Sequence, residues 1–150
     1  MPDLLETTVD KFVFRVAKDR LYSKDGIWVL PEPDARVRLG LTDFVQQRNG
    51  DVAFAEVQPA RTRLRVGDEL ASIETIKVVF SVSSPVAGTI VEVNPALETA
   101  PEAINADPYG AGWLAVVAAD GSEEARAALL DPQTYLARVK AEAEEAALKP

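Results

Sequence analysis

The chain contains no cysteine and no histidine. Without cysteine it can form no disulfide, no thiolate nucleophile and no cysteine-ligated metal site. Without histidine it also lacks the commonest general base and the commonest zinc ligand of proteins. No serine or threonine lies in a nucleophile-elbow pattern. We therefore expect no catalytic residue and no metal site, and difficult chemistry would have to be carried by a group attached to the protein.

Positive charge and long apolar runs are also scarce. The chain has 16 basic and 24 acidic residues, which gives a net charge of −8. Binding to nucleic acid needs a basic face, and negative charge is repelled by anionic lipid, so we expect neither nucleic acid nor a membrane as a partner. No apolar run approaches the roughly 20 residues that span a bilayer. The N-terminal residues lack the basic segment of a secretory signal, and the expectation is a cytoplasmic protein.

A length of 150 residues and a hydrophobic content of 47% indicate one globular domain over residues 1–150. Short segments rich in β-branched residues, each led by a turn signal, predict a small barrel or sandwich with its core at about 11–118. Between the strands, Pro31 to Asp34 is predicted to be a loop, because two prolines so close cannot both lie in a ladder. A short helix is predicted after Thr42, ending at Asn49-Gly50.

A C-terminal helical extension is predicted over residues 122–148. Ser122 is the predicted N-cap of its first helix, with Glu123 and Glu124 in the first turn, where they favour the helix dipole. The second helix is predicted to start at Asp131-Pro132, since proline suits the first helical position. Tyr135, Leu136 and Val139 mark one apolar stripe of this helix.

One stretch, residues 67–80, organises the rest of the chain. A turn signal at Gly67-Asp68 opens it, and apolar and β-branched residues then predict two strands that meet near Glu74 to Lys77. Lys77 is the only lysine between Lys24 and Lys140. By itself the pattern fits either an ordinary solvated lysine or an amine held out on a rigid hairpin for covalent modification.

Five motifs follow one another over roughly Leu21 to Ala118. They are Val37-Arg-Leu-Gly-Leu-Thr-Asp-Phe, Gly50-Asp-Val-Ala-Phe, Ile73-Glu-Thr-Ile-Lys-Val, Ser84-Pro-Val-Ala-Gly-Thr-Ile-Val-Glu-Val-Asn and Asp107-Pro-Tyr-Gly-Ala-Gly-Trp. In this order they resemble the glycine cleavage system H protein family. Asp131-Pro-Gln-Thr-Tyr continues the resemblance weakly.

The resemblance implies a mainly β, barrel-sandwich hybrid fold of the biotinyl/lipoyl type, with short helices and a C-terminal helix. It implies that lipoic acid is amide-linked to Lys77, which matches the family's modified lysine. Lipoate would supply the redox-active sulfurs that the chain lacks. Glu74, Thr75, Ile76 and Val78 are the predicted recognition residues beside the lysine, although a role as ordinary solvated hairpin residues fits Glu74 and Thr75 equally. The protein would be a carrier subunit rather than an enzyme, and its swinging arm would pass bound intermediates between partner enzymes.

Two departures from the family's pattern concern what the arm carries. The family typically reads His-Glu-Trp where this chain has Gly26-Ile27-Trp28, and Glu-Ser-Val-Lys-Ala where it has Glu74 to Val78. These features look more like the lipoate-binding proteins of heterodisulfide-reductase-like sulfur oxidation, in which the arm carries sulfur intermediates. We therefore favour that branch. The alternative is the H protein of the glycine cleavage system, which carries the aminomethyl group in glycine decarboxylation.

The implied partners are a lipoate–protein ligase or lipoyl transferase, and either a heterodisulfide-reductase-like complex or the glycine cleavage P, T and L proteins. Biotin acceptors resemble Met-Lys-Met, and the lipoyl domains of 2-oxoacid dehydrogenases usually show Asp-Lys-Ala, so both fit the flanks of Lys77 less well. The remaining alternative is an unmodified barrel that acts as an adaptor or as an accessory of lipoate metabolism.

Overall fold

The computed structural model of the chain describes residues 2–121 and 126–148. The predicted helix start at Ser122, with Glu123 and Glu124, lies outside the described residues. The strands are β1 (Leu4–Val9), β2 (Phe12–Ala17), β3 (Leu21–Tyr22), β4 (Ile27–Glu32), β5 (Arg36–Leu41), β6 (Val52–Val57), β7 (Arg63–Leu64), β8 (Glu69–Thr75), β9 (Val79–Ser83), β10 (Gly88–Val93) and β11 (Ala115–Ala119). The helices that lie wholly within the described residues are α1 (Asp43–Asn49), α2 (Ala103–Ala106) and α3 (Pro132–Ala147), with a 3-10 turn at Pro95–Glu98.

The strands form two antiparallel sheets and a separate hairpin. The larger sheet has the order β3-β4-β5-β11-β10-β7, and the smaller has the order β6-β8-β9. Strands β1 and β2 pair with each other at the N-terminus. The predicted mainly β fold with short helices and a C-terminal helix is confirmed.

Two apolar clusters hold these layers together. The larger one joins both sheets and includes Leu39, Leu70, Ile73, Ile90 and Val117, all of them fully buried. The second cluster lies where β2, α1 and α3 meet, and it is rich in aromatic residues, namely Phe14, Tyr22, Trp28, Phe44 and Tyr135. The C-terminal helix is therefore part of the packed structure, with Tyr135, Val139 and Ala143 as its buried residues.

The indole of Trp28 requires a glycine on the neighbouring strand. Trp28 is opposite Gly40 in the β4–β5 ladder. A Cβ on Gly40 would lie 2.4 Å from two atoms of the indole, a distance that real Cβ atoms do not reach. The buried indole Nε1 donates to the carbonyl of Pro108 at 2.9 Å. This contact fixes the turn-rich segment after α2 onto the larger sheet.

Helix boundaries follow the sequence closely. The hydroxyl of Thr42 accepts a hydrogen bond from the backbone of Val45 and caps α1, and Gly50 ends the helix with φ of 89°. The carboxylate of Asp131 caps α3 by accepting from the backbone of Thr134 at 2.8 Å. Within the described residues, no helix combines the length and the apolar character needed to cross a membrane.

Two parts of the sheet structure differ from the sequence predictions. Strand β1 lies before the predicted core and is not predicted, because apolar and polar residues do not alternate in Leu4–Val9. The predicted loop at Pro31 to Asp34 is wrong in its first half, since β4 continues through Glu32. Proline is tolerated there because β3 pairs with Trp28 and Val29, and no described strand pairs with β4 on that side beyond Val29.

Candidate functional site

The predicted hairpin is formed by β8 and β9, and Lys77 lies at its tip. The two strands pair antiparallel with Ile73 opposite Phe80 and Glu74 opposite Val79. Ile76, Lys77 and Val78 connect them, and the lysine is exposed. No ion pair of the described residues involves Lys77. Its amine therefore extends from a rigid two-stranded support and is accessible.

The side chain of Thr75 fixes the hairpin tip. Its Oγ1 accepts hydrogen bonds from the backbone nitrogens of Lys77 and Val78, both at 3.1 Å. The backbone of Thr75 also donates to the carbonyl of Val78 at 2.8 Å. Because the hydroxyl provides these bonds, the tip turns without glycine and without a positive φ at residues 76 to 78.

Residues at the C-terminal end of α1 contact the hairpin tip. The backbone of Ile76 donates to the carbonyl of Asp51 at 3.1 Å. The aliphatic stem of Lys77 lies over Gly50, the residue that ends the helix. The helix end and the hairpin tip thus form one structural unit, although 25 residues or more separate them along the chain.

Asn105 ties this unit to α2. Its side-chain nitrogen donates to the carbonyl of Gly50 and to Oε1 of Gln46, both at 3.0 Å. Its side-chain oxygen accepts from the backbone of Val52 at 2.8 Å. Sequence reasoning missed Asn105, because nothing in its local pattern indicates contacts with residues more than fifty positions earlier.

The predicted recognition residues take different positions. Ile76 is 75% and Val78 43% exposed, and Glu74 is also exposed. Thr75 is buried at 7% exposure, and its hydroxyl is used inside the hairpin. Recognition by these four residues stays a prediction, and for Thr75 it would act through the shape that it gives to the tip.

A cleft of about 420 Å³ lies between β9, the turn before β4, α1 and α3. Gly26 and Ile27, two residues at which the sequence departs from the resemblance given above, line this cleft. Gly26 has φ of +88°, and a Cβ there would lie 2.3 Å from Cγ2 of Val45. A larger residue at position 26 would therefore require Val45 to move, so the packing of the cleft depends on a glycine at this position.

Charged residues of α1 and α3 border the same cleft. Glu142 pairs with Arg138 at 3.5 Å and with Arg48 at 4.0 Å. Arg138 also donates to the carbonyl of Lys24 at 3.0 Å. The C-terminal helix thus forms one wall of the cleft and holds the turn before β4 in place.

Comparison with known proteins gives a consistent result. The glycine cleavage H-protein family model matches residues 20–142. The glycine cleavage system H protein of Coprothermobacter proteolyticus is 44% identical over 103 residues, which covers 69% of this chain and 81% of the relative. That of Coxiella burnetii is 38% identical over 121 residues, or 81% of this chain and 92% of the relative.

A solved structure agrees with these relatives. The crystal structure of a glycine cleavage system H protein from Mycobacterium marinum superimposes with a TM-score of 0.71 at 33% identity. The match covers 82% of this chain and 98% of that chain. The N-terminal hairpin β1–β2 lies before residue 20, outside the segment that the family model matches.

Proposed function

The chain belongs to the glycine cleavage H-protein family, and from this premise we propose that it is the H protein of a glycine cleavage system, with lipoate amide-linked to Lys77. Proteins of this family are carriers with covalently bound lipoic acid and are not themselves enzymes. We also propose that residues 1–150 act as a single carrier domain, with the C-terminal helix as part of it.

The exposed position of Lys77 on a fixed tip is the observation that carries the proposal. A carrier lysine must enter the active sites of other enzymes, so it needs a support that protrudes and does not bend back. Thr75 and the carbonyl of Asp51 supply that support. The residues present fit lipoate, because the amine is accessible and is paired with no carboxylate of the described residues.

Attachment needs only the amine of Lys77 and an activated lipoyl group, such as a mixed anhydride with AMP. The neutral Nζ attacks the carbonyl carbon, the amide C–N bond forms, and AMP leaves with the electrons of the broken C–O bond. The proton lost from nitrogen goes to a base of the modifying enzyme or to water. When bound, lipoate supplies a disulfide that opens on reduction and takes up a transferred group on sulfur.

The cargo that we propose is the aminomethyl group of glycine decarboxylation. The departures at Gly26 and Ile27 had favoured heterodisulfide-reductase-like sulfur oxidation, but the comparisons give that branch no support. The relatives and the solved structure described above all carry the glycine cleavage name. The partners proposed are accordingly a lipoate–protein ligase or lipoyl transferase and the glycine cleavage P, T and L proteins.

Intact mass spectrometry tests the attachment site. The protein is incubated with a lipoate–protein ligase, ATP and lipoate, and the wild type should gain the mass of one lipoyl group. Lys77→Arg should gain none, and the matched control Lys140→Arg, which changes an exposed lysine of α3, should behave as the wild type. Uptake by Lys77→Arg at the wild-type level would show that the site is wrong.

The cargo is tested separately with the lipoylated protein. Together with a glycine cleavage P protein, it should support exchange of carbon dioxide with the carboxyl group of glycine. Normal lipoylation without any exchange would overturn the glycine cleavage role while leaving the carrier role intact.

A further inference from the structure

An apolar groove of about 280 Å³ lies between the β1–β2 hairpin, α1 and α3, and we call it the N-terminal groove. Val9 and Phe12 line it at the turn of the hairpin, Phe44 lines it on α1, and Ala146 and Ala147 line it at the end of α3. Seven of its eleven lining residues, four on the hairpin and three at the end of α3, lie outside the segment 20–142 that the family model matches. The groove is therefore formed mostly by parts of this chain that the family match does not include.

Missing side-chain volume on α3 leaves the N-terminal groove open. Phe12, Phe14 and Val16 point to the same face of β2, because side chains alternate along a strand. Val16 and Phe14 are buried, whereas Phe12, at the turn end of the strand, is 53% exposed. The end of α3 presents Ala146 and Ala147 to this space, and alanine side chains are too small to fill it. The ring of Phe12 therefore borders a space that α3 does not fill.

Phe12 is held in a fixed direction beside this space. Its ring stacks on that of Phe14, with the ring centroids 6.3 Å apart and an angle of 23° between the planes. The ring of Phe14 in turn packs edge-on against Phe44 at 5.3 Å. Scattered exposed apolar residues are normal on protein surfaces, but an exposed aromatic ring that is fixed next to an apolar groove marks an interaction site.

Charges of both signs border the N-terminal groove. Asp10, Arg48 and Glu142 are among its lining residues. Glu142 is shared by two arginines, Arg138 at 3.5 Å and Arg48 at 4.0 Å, so it neutralises Arg48 only in part. Within the described residues, Asp10 takes part in no ion pair. One guanidinium and one carboxylate of the lining are therefore available, and a complementary partner brings one group of each sign.

We propose that the N-terminal groove binds a second copy of this chain in a symmetric dimer. In a two-fold interface the same surface meets itself, so this surface must carry both halves of every contact. The N-terminal groove does so: Phe12 of each copy enters the groove of the other, and Asp10 of each copy faces Arg48 of the other. The inference does not depend on the proposed function.

Other occupants match the charges of the groove less well. An aliphatic carboxylate would meet the carboxylates of Asp10 and Glu142 as well as Arg48, and a partner with charge of one sign would be repelled by one of these groups. A second copy brings the same balanced pair. The net charge of −8 on each copy opposes association, and the contact area around one groove is small, so we expect a weak dimer with a Kd in the micromolar range.

Sedimentation velocity of the full chain, from micromolar to millimolar concentration, measures this Kd. The wild type should change from monomer to dimer over this range. Phe12→Ser removes the protruding ring and should raise the Kd at least about tenfold, as is usual for a central aromatic contact. Phe54→Ser is the matched control, because Phe54 is 58% exposed on β6, where a β-bulge at Ala53 turns it outward. This control should retain the wild-type Kd.

Filling the groove gives a second test that removes no apolar surface. Ala146→Leu places a larger side chain in the groove at an exposed position of α3, and leucine is nearly as good a helix former as alanine. The variant should fold normally and still raise the Kd at least about tenfold, because Phe12 of the other copy no longer fits. Thermal melting checks the folding of both variants, and if Phe12→Ser melts early, Ala146→Leu decides the test.

A mixture of the two variants tests the exchange of ring and groove directly. Phe12→Ser keeps an open groove without the ring, whereas Ala146→Leu keeps the ring beside a filled groove. An equimolar mixture should therefore form more heterodimer than either variant forms homodimer, since one of the two contacts is intact. Native mass spectrometry separates these species, because the two variants differ in mass.

The ionic contact is tested by a double-mutant cycle on the Kd. Asp10→Asn suits the positive φ of 56° at this position, and Arg48→Gln removes the opposite charge. Each single variant should weaken dimerisation, and the double variant should weaken it by less than the two single effects combined. Additive effects would show that these two residues do not face each other across the interface.

Several outcomes would overturn the proposal. A wild type that stays monomeric at every concentration excludes the dimer, and calorimetry with octanoate then shows whether the groove binds an aliphatic carboxylate instead. A dimer with the same Kd in Phe12→Ser and Ala146→Leu would use another surface. A mixture without excess heterodimer would exclude the two-fold exchange of Phe12. None of these results depends on acylation of Lys77, so the dimer and the proposed carrier role fail separately.

Discussion

The side chain of Lys77 rests on Gly50: a Cβ built on this glycine would lie 3.4 Å from Cε and 3.5 Å from Cδ of the lysine. The glycine ends α1, and the lysine occupies the hairpin tip. The helix end therefore serves as a platform for the lysine stem.

Replacement of Gly50 by alanine should destabilise the protein mainly through backbone strain. Gly50 has φ of 89° and ψ of −170°, a region that is almost restricted to glycine, so we expect a loss of about 1–3 kcal/mol in the free energy of unfolding. A methyl group would only reach van der Waals distance from Lys77. Urea denaturation measures the loss.

Gly67→Ala is the matched control for this prediction. Gly67 has φ of +94°, and a Cβ there would meet nothing within 4 Å. The two variants should therefore lose stability to a similar extent. A far larger loss for Gly50→Ala would show that the contact with the lysine stem, and not the backbone conformation, dominates.

Removal of the hydroxyl of Thr75 should loosen the hairpin tip. Thr75→Val leaves the amides of Lys77 and Val78 without their acceptor, and we expect them to exchange with deuterium at least about tenfold faster, equivalent to about 1.4 kcal/mol. Thr75→Ser retains the hydroxyl and should keep exchange near the wild-type rate. Equal exchange in Thr75→Val and the wild type would mean that the strands alone fix the tip.

The side chain of Asn105 should stabilise the first residue of β6, Val52. Asn105→Ala removes the acceptor for the backbone of Val52 and both donor bonds to α1, with an expected loss of about 1–3 kcal/mol. Asn105→Asp keeps the acceptor and loses the donors. The amide of Val52 should therefore stay protected from exchange in Asn105→Asp, as in the wild type, but not in Asn105→Ala. Similar exchange of Val52 in both variants would contradict this division of roles.

Alkaline pH should unfold the protein through its tyrosines. Burial raises the pKa of Tyr135 to about 12 and raises the pKa of Tyr22 and Tyr109 as well. Tyrosine in an unfolded chain titrates near pH 10. Because the folded state holds these protons more tightly, the stability that they contribute is complete below about pH 10 and is lost as pH rises toward 12.

Tyrosinate absorbance, recorded beside near-ultraviolet circular dichroism, checks this behaviour. Tyrosinate should appear together with the loss of native structure, and Tyr135→Phe should reduce the alkaline decrease in stability. This residue also makes a 2.8 Å hydrogen bond to Thr42, so the variant is compared with the wild type across the whole pH range. Full ionisation near pH 10 in a protein that stays native would contradict the pKa shifts.

Local signals made much of the fold predictable. The strands around Lys77 and the caps at Thr42, Gly50 and Asp131 follow from turn and cap residues whose effect extends over a few positions. Strand β1 was not predictable in the same way, because its half-polar sequence becomes a strand only when paired with β2 and packed on α3.

The position of the carrier lysine was predictable from the sequence, but the residues that contact the hairpin tip were not. The position of Lys77 follows from local sequence, whereas the contacts of Gly50 and Asn105 arise from tertiary packing between distant segments. The bulge at Ala53 was likewise hidden, since alternation alone would have placed Phe54 on the buried side. Sequence periodicity cannot show a single inserted residue that changes register.

Lys77 is exposed and is the only lysine between Lys24 and Lys140, so proteolysis can show whether its amine is acylated. A lysine-specific protease cuts after a charged lysine, and acylation removes that charge. Between Lys24 and Lys140, the unmodified chain would yield two peptides, 25–77 and 78–140, whereas the acylated chain would yield the single peptide 25–140. The ratio of these products therefore measures the fraction of molecules that are acylated in any preparation, without a partner enzyme.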